Sequence, residues 1–199
     1  MAISTYAELR AAIINWSNRG DSKFANAVPD FVRLGETRLF RMLRLSTMIK
    51  SDTLTTTPAV RTISLPADWL QFKALRTDRG PLEYRPVDEI YAARDPWQGV
   101  YGIEGAQLVL GATPDAVEPI EVRYYARPVA LQGDGDTNQL LVASPDLYLF
   151  AALIEGAVWQ KNPDEAGRFG ALLDKAIDAA KSADGAAMIS GSPLRMRRR

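Results

Sequence analysis

Neighbouring carboxylates offer the most direct route to acid–base or metal chemistry in this sequence, and three pairs occur: Asp88 with Glu89, Asp134 with Asp136, and Asp164 with Glu165. Paired carboxylates serve as the acid and base of glycosidases and as the metal ligands of nucleases. The pairs at 88–89 and 164–165, however, fall in the first turn of predicted helices, where the helix dipole alone favours acidic side chains. Since nothing else distinguishes the three pairs, we predict no catalytic residue.

The segment 133–138, Gly-Asp-Gly-Asp-Thr-Asn, matches the first half of a calcium-binding EF-hand loop, because Asp, Asp and Asn alternate in it. The second half of the pattern fails. Gln139 stands where that loop needs glycine, and Pro145 stands where it needs a bidentate glutamate. We therefore predict neither metal nor cofactor, and we interpret the segment as a turn between the last strand and the next helix.

Composition excludes much of ordinary enzyme chemistry. The 199 residues contain no cysteine and no histidine, which excludes disulfides, zinc fingers, cysteine nucleophiles, Ser-His-Asp hydrolases and HExxH metalloproteases. Walker sequences are absent, and no GxGxxG motif follows a strand and opens a helix.

Charge is balanced overall but segregated along the chain. The net charge is zero, which argues against a general nucleic-acid coat or a membrane-surface binder. Residues 1–50 carry a net +4, whereas residues 101–185 carry a net −7. Either this segregation is a chance distribution of surface charges, or it gives the folded subunit faces of opposite charge that favour association between subunits. The sequence begins without a secretory signal and its longest apolar stretch, 147–154, is too short to span a bilayer, so we expect a soluble protein made in a cytoplasm.

Four periodic segments predict helices, at 5–17, 29–45, 144–160 and 163–182. Thr5 and Glu8 form a capping box before the first, and Pro29 is interpreted as the start of the second. The third is apolar almost all round, which is typical of a helix in the middle of a bundle. The second carries four arginines that form either a solvated face or a basic face meeting an acidic neighbour: Arg33, Arg38, Arg41 and Arg44.

Between Ile49 and about Arg127 the pattern changes to short strands, predicted at 53–57, 60–65, 69–76, 82–84, 100–103, 107–110 and 120–125, with a short helix at 86–91. Such spacing favours an antiparallel sheet or small sandwich over βαβ units. The fold class predicted is α+β, a four-helix bundle built from the N- and C-terminal helix pairs with an inserted antiparallel β domain. The expected divisions are 1–48 and 131–185 for the helical domain, 49–130 for the insert and 186–199 for an extended basic tail.

The chain resembles the head-to-tail adaptor (connector) proteins of short-tailed bacteriophages. The matching motifs are Thr-Tyr-Ala-Glu-Leu at 5–9, Pro-Asp-Phe-Val at 29–32, Glu-Thr-Arg-Leu at 36–39 with Arg-Leu at 44–45, Leu-Pro-Ala-Asp-Trp-Leu at 65–70, Pro-Leu-Glu-Tyr at 81–84, Asp-Thr-Asn at 136–138 and Ser-Pro-Asp-Leu-Tyr-Leu at 144–149. Each motif alone is a turn or helix-start signal. Their order and spacing carry the resemblance.

The resemblance implies a structural virion protein of the neck and tail region, not an enzyme, assembled in the host cytoplasm with no cofactor and no membrane. Such adaptors form a ring, typically a dodecamer, that joins the portal protein to the tail nozzle or tube, and double-stranded DNA passes through its lumen during genome ejection without sequence-specific binding. In related connectors the C-terminal tail reaches the portal, so the residues expected to interact with it are Leu194, Arg195, Met196, Arg197, Arg198 and Arg199.

Two alternatives to an adaptor remain open. One is another structural protein, such as a capsid or tail-completion factor, which would share the charge segregation and assemble differently. The other is an enzyme of phage DNA or cell-wall processing that uses a carboxylate pair.

Overall fold

The structure, a computed structural model, describes residues 3–94 and 96–189, without the side chain of residue 189. The described residues form a mixed α+β fold of six α-helices and two four-stranded sheets. They divide into two compact units. A helical unit contains the chain up to Met48 and from Pro128 onward, and a β unit is Ile49–Arg127.

The helical unit contains five of the helices and a short 3₁₀ turn at Ser46–Met48. The helices are α1 (Tyr6–Trp16), α2 (Ser22–Met42), α4 (Gln139–Ala143), α5 (Pro145–Trp159) and α6 (Pro163–Ile189). Helix α5 contacts α1, α2, α4 and α6, and its buried residues include Leu147, Leu149 and Leu153. An apolar surface on all sides of a helix can be buried only by neighbours on several sides, which is the environment that the sequence predicts for α5.

Helix α2 begins earlier than predicted, at Ser22 and not at Pro29. The Asp21 carboxylate caps it by accepting a hydrogen bond from Phe24 N at 3.0 Å, and Phe24 and Val28 are buried. Pro29 lies inside the helix, where it removes one backbone hydrogen bond. The cap and the burial of the first two turns outweigh that loss. Pro29 is compatible with a helix start, but it is not the start here.

Two other helices also differ from the prediction. Helix α6 continues to Ile189, well past residue 182, because Ala186 and Ala187 favour a helix and a single Gly185 costs only about 1 kcal/mol within one. The short α4 was not predicted at all. It begins where the Asn138 side chain accepts a hydrogen bond from Leu141 N at 2.8 Å.

The β unit consists of two sheets with the strand orders β1-β8-β3-β4 and β2-β7-β6-β5. The strands are β1 (Ile49–Thr55), β2 (Thr62–Ser64), β3 (Trp69–Thr77), β4 (Gly80–Pro81), β5 (Glu83–Tyr84), β6 (Val100–Glu104), β7 (Gln107–Leu110) and β8 (Pro119–Ala126), and helix α3 is Val87–Ala92. The strand pairs are antiparallel as predicted, with the exception of β5 and β6, which are parallel. The chain passes through α3 between these two strands, and such a crossover returns the chain in the same direction.

The core of the β unit lies between its two sheets. Phe72, Val122 and Tyr124 of the first sheet are buried in one cluster with Tyr101 and Leu108 of the second. The alternation predicted in β8 is confirmed, since its even-numbered residues from 120 to 124 are buried while residues 121 and 123 are exposed.

Candidate interaction surface

The segment 133–138 forms a turn, as predicted, and its carboxylates are engaged by the protein itself. Asp136 Oδ2 accepts hydrogen bonds from Gly133 N at 2.8 Å and from Gln132 N at 2.9 Å. These two bonds hold the pKa of Asp136 below its usual value. Asp134 Oδ1 forms an ion pair with Arg10 Nη1 at 2.9 Å. Within 3–94 and 96–189, no three acidic side chains come together as metal ligands.

The same turn fixes the start of α1. The carbonyl oxygens of Asp136 and Asp134 accept hydrogen bonds from Tyr6 N at 2.9 Å and from Ala7 N at 3.1 Å. Helix starts leave such N–H groups without partners inside the helix. The capping box is confirmed as well, since Glu8 N donates to Thr5 Oγ1 and Thr5 N donates to Glu8 Oε2. Two motifs of the resemblance, at 5–9 and 136–138, are therefore in direct contact, and together they fix the position at which α1 begins.

The other two carboxylate pairs lie at helix starts. Asp88 and Glu89 occupy the first turn of α3, and Asp164 and Glu165 occupy the first turn of α6. These are the positions at which acidic side chains stabilise a helix. Among the residues that the structure describes, neither pair belongs to a group of three acidic side chains that could hold a metal ion.

A cleft of about 380 Å³ opens in the β unit, lined by β4, the end of β7 and the loop that follows β7. Arg79 Nη2 forms an ion pair with Glu118 Oε1 at 2.7 Å on its wall. None of the three carboxylate pairs is among its described lining residues. The acidic residues on its wall are Asp115 and Glu118, and Glu118 is the partner of Arg79.

Glu36 is a buried carboxylate that the sequence reasoning missed. It is 5 % exposed on the inner side of α2, and its Oε1 accepts a hydrogen bond from Leu131 N at 3.2 Å. Burial raises the pKa of Glu36 to about 7. Its position was readable from the sequence, because it stands four residues after Val32 and three before Leu39 on the apolar stripe of α2.

The outer face of α2 combines exposed apolar and basic side chains. Leu34 is 54 % exposed, and Arg33, Thr37 and Arg41 are exposed on the same side of the helix. We call these four residues the α2 face.

The remaining two arginines predicted on this helix have partners within the helical unit. Arg38 Nη2 forms an ion pair with Glu155 Oε1 at 2.6 Å. Arg44 Nη1 donates to the carbonyl oxygens of Phe40 and Leu43. The basic face is therefore narrower than the four arginines suggested, with Arg33 and Arg41 at its centre.

The six residues predicted to interact with a portal, Leu194 to Arg199, lie outside the described residues. Among the helices that the structure describes, none combines the length and the apolarity that crossing a membrane requires.

Comparison with known proteins gives a family match over nearly the whole chain. The family model described as SU10 adaptor protein matches residues 4–197. No curated protein sequence matches this chain significantly.

Proposed function

Because this chain belongs to the SU10 adaptor protein family, a family of phage adaptor proteins, we propose that it is a head-to-tail adaptor of a bacteriophage virion. It joins the portal protein on one side to the tail nozzle or tube on the other, in the neck and tail region. The observation that carries this proposal is the family match, which extends from residue 4 to residue 197. The virion is assembled in the host cytoplasm.

The working form is a homo-oligomeric ring of twelve copies, through whose lumen double-stranded DNA passes during genome ejection. A balanced net charge supports passage of DNA without tight binding, since retention of DNA depends on a large excess of basic groups. Within each subunit, α1, α2, α5 and α6 act as a four-helix bundle that carries the β domain as an insert. The contacts of α5 with the other three support this arrangement.

The role is structural and not enzymatic. The carboxylates that were the best candidates for catalysis have structural partners or positions. Asp136 binds backbone N–H groups, Asp134 pairs with Arg10, and the other two pairs begin helices. No cofactor enters the proposal.

The C-terminal tail contacts the portal. Leu194 and Met196 serve as apolar anchors, and the four arginines between 195 and 199 supply the positive charge that an acidic groove attracts.

Native mass spectrometry of the purified chain, alone and mixed with its portal protein, tests the adaptor role. We expect a ring, or a complex with the portal that contains many copies of the chain. A chain that stays monomeric in both samples and hydrolyses DNA or peptidoglycan is an enzyme of phage processing, and the proposal is then wrong. A complex with capsid or tail proteins but not with the portal identifies a completion factor instead.

A further inference from the structure

We propose that the α2 face of one subunit packs against the outer face of α6 in the next copy of this chain, so that the subunits associate head to tail. The proposal rests on the adaptor function above and names the surfaces through which its copies meet. The α6 face is defined by five exposed residues that lie on one side of that helix: Gly167, Ala171, Asp174, Asp178 and Ser182.

The two faces are separate surfaces of the helical unit. Helix α2 turns its buried side toward α5, where Gly35 lies against Ala151. Helix α6 also packs against α5, and its buried residues include Leu173 and Ile177. The two faces belong to the opposite, exposed sides of these helices. Pairing one face with the other is therefore heterologous, and such a contact forms a ring when the rotation from copy to copy closes.

The shapes of the faces are complementary. Leu34 projects from the α2 face as a large apolar side chain that is about half exposed. Gly167, Ala171 and Ser182 offer small residues on the α6 face. A Cβ on Gly167 would meet no atom within 4 Å. Small residues let a neighbouring helix approach closely, so large side chains of one helix fit between them.

The charges of the faces are complementary too. Arg33 and Arg41 lie on the α2 face, with Asp30 one turn before them, whereas Asp174 and Asp178 lie on the α6 face, with Lys175 and Lys181 at its edges. The spacing agrees, because Leu34 and Arg41 are seven residues apart and so are Ala171 and Asp178. Seven residues are about two helical turns, so when the two helices run in the same direction an apolar contact and an ion pair fall at matching heights.

The difference in charge between the two faces is also found in the chain segments that contain them. Up to Met48 the described chain has seven basic and four acidic residues, whereas 128–189 has four basic and nine acidic residues. Opposite net charges on the two segments favour an orderly head-to-tail encounter over contact of like faces. Two copies placed α2 against α2 would bring Arg33 and Arg41 of each copy together.

Charge reversal tests this pairing. Arg41→Glu and Asp178→Arg, each alone, place like charges across every contact, and we expect the fraction of subunits in oligomers, counted by native mass spectrometry with portal present, to fall at least tenfold. A one-to-one mixture of the two variants restores it, because alternating subunits then pair Glu with Arg and Arg with Asp. Lys73→Glu, a charge reversal on exposed β3, serves as the matched control and leaves assembly unchanged.

Disulfide cross-linking gives an independent readout, because the natural chain has no cysteine. The double variant Leu34→Cys with Ala171→Cys forms a ladder of covalent oligomers on mild oxidation, whereas either single variant gives no ladder. If the wild-type chain forms oligomers, both charge-reversal variants form them equally well, and the double cysteine variant gives no ladder, then this inference is wrong while the adaptor role stands. A wild-type chain that assembles neither alone nor on the portal overturns both.

Discussion

Glu36 is the residue at which the helical unit responds to pH. Burial raises its pKa to about 7 in the folded chain, while the unfolded chain keeps the ordinary value near 4.5. Tyr6 and Tyr148 lie near enough to feel its charge, and burial raises the pKa of both hydroxyls above the usual tyrosine value. They remain neutral throughout the interval between these two Glu36 values, so Glu36 itself titrates there.

The free energy of unfolding should therefore fall as pH rises through that interval. Between the two pKa values the folded chain holds a proton that the unfolded chain has released, so each rise in pH favours unfolding. The contribution of protonated Glu36 to the free energy of unfolding is complete below the pKa that Glu36 has in the unfolded chain. It is lost as the pH rises through the pKa that Glu36 has in the folded chain. A gap of about 2.5 pKa units corresponds to roughly 3 kcal/mol.

Glu36→Gln should remove this pH dependence, because the amide stays neutral and its oxygen still accepts from Leu131 N. Chemical denaturation at about pH 5 and about pH 8 measures the difference, and the variant should be the more stable of the two chains at the higher pH. Glu83→Gln, at an exposed position of β5, is the control and should keep the wild-type slope. Equal slopes in wild type and Glu36→Gln would show that Glu36 is not the titrating group.

Local roles of single residues were readable from the sequence where the partners are close along the chain. The Thr5–Glu8 capping box is of this kind, and so is the turn around Asp136, because the contacting atoms are at most four residues apart. The bond between Glu36 and Leu131 joins residues 95 positions apart. Periodicity places Glu36 on the buried side of α2, but nothing local says which backbone N–H it meets.

At the scale of elements, the contact between α2 and α5 depends on Gly35. A Cβ built there would lie 3.1 Å from the backbone of Ala151 and of Ala152, closer than ordinary van der Waals contact. The two helices approach through this glycine. A larger residue would force them apart, and Phe31, whose ring lies beside Gly156, would lose part of its packing.

Gly35→Ala should therefore destabilise the chain by about 1–3 kcal/mol, as overpacking typically does. The same substitution in an uncrowded helix is stabilising. Gly170→Ala on α6, where a Cβ would meet nothing within 4 Å, is the matched control and should gain up to about 1 kcal/mol. Thermal melting of both variants decides the matter, and a Gly35→Ala chain that melts at or above the wild-type temperature would contradict the close approach.

Elements were predicted well where one signal dominated and poorly where two competed. The start of α2 was misplaced because both Asp21 and Pro29 are start signals, and only the burial of Phe24 decides between them. The parallel pairing of β5 with β6 was missed because these strands are short and their pairing depends on the crossover through α3. Neither the start of α2 nor the pairing of β5 with β6 can be predicted from the local sequence pattern alone.

At the scale of the whole molecule, the β unit begins and ends at one place. Strands β1 and β8 are antiparallel neighbours, with Ile49 opposite Tyr125. The two ends of the unit are thus close together, because paired strands lie about 5 Å apart. It also has its own buried cluster between two sheets. A segment with adjacent ends and its own core has what independent folding requires.

The fragment Ile49–Arg127 should therefore fold alone, with β-type circular dichroism and a cooperative melt. The complementary chain, in which a short glycine-serine linker joins Met48 to Pro128, should keep a helical spectrum. Leu108→Asp in the fragment is the control, because a charge in its core should abolish the melt. A fragment that remains unfolded under conditions where the full chain is native would contradict independent folding.

The inserted arrangement follows from a change of periodicity along the chain, from helices to strands and back, and the sequence shows this change directly. Association between copies leaves a much weaker signal. Charge segregation suggested faces of opposite sign, but which residues are exposed, Leu34 and Met42 among them, became evident only with the packing of α2 on α5.

Deleting residues 193–199 should leave the subunit folded and weaken its binding to the portal. The deleted segment has no apolar periodicity that would join it to the helical core, so the melting temperature should not change. Its four arginines attract the acidic groove of the portal, and salt screens this attraction with a Debye length of about 10 Å at 0.1 M. Raised salt should therefore weaken the full-length complex more than the truncated one. Leu194 and Met196, both replaced by serine, separate the apolar anchors from the charge, because this variant should bind more weakly with an unchanged salt dependence. A truncated chain that binds portal as tightly as the full chain at matched ionic strength would rule out tail docking and assign the arginines to solubility or to the DNA in the lumen.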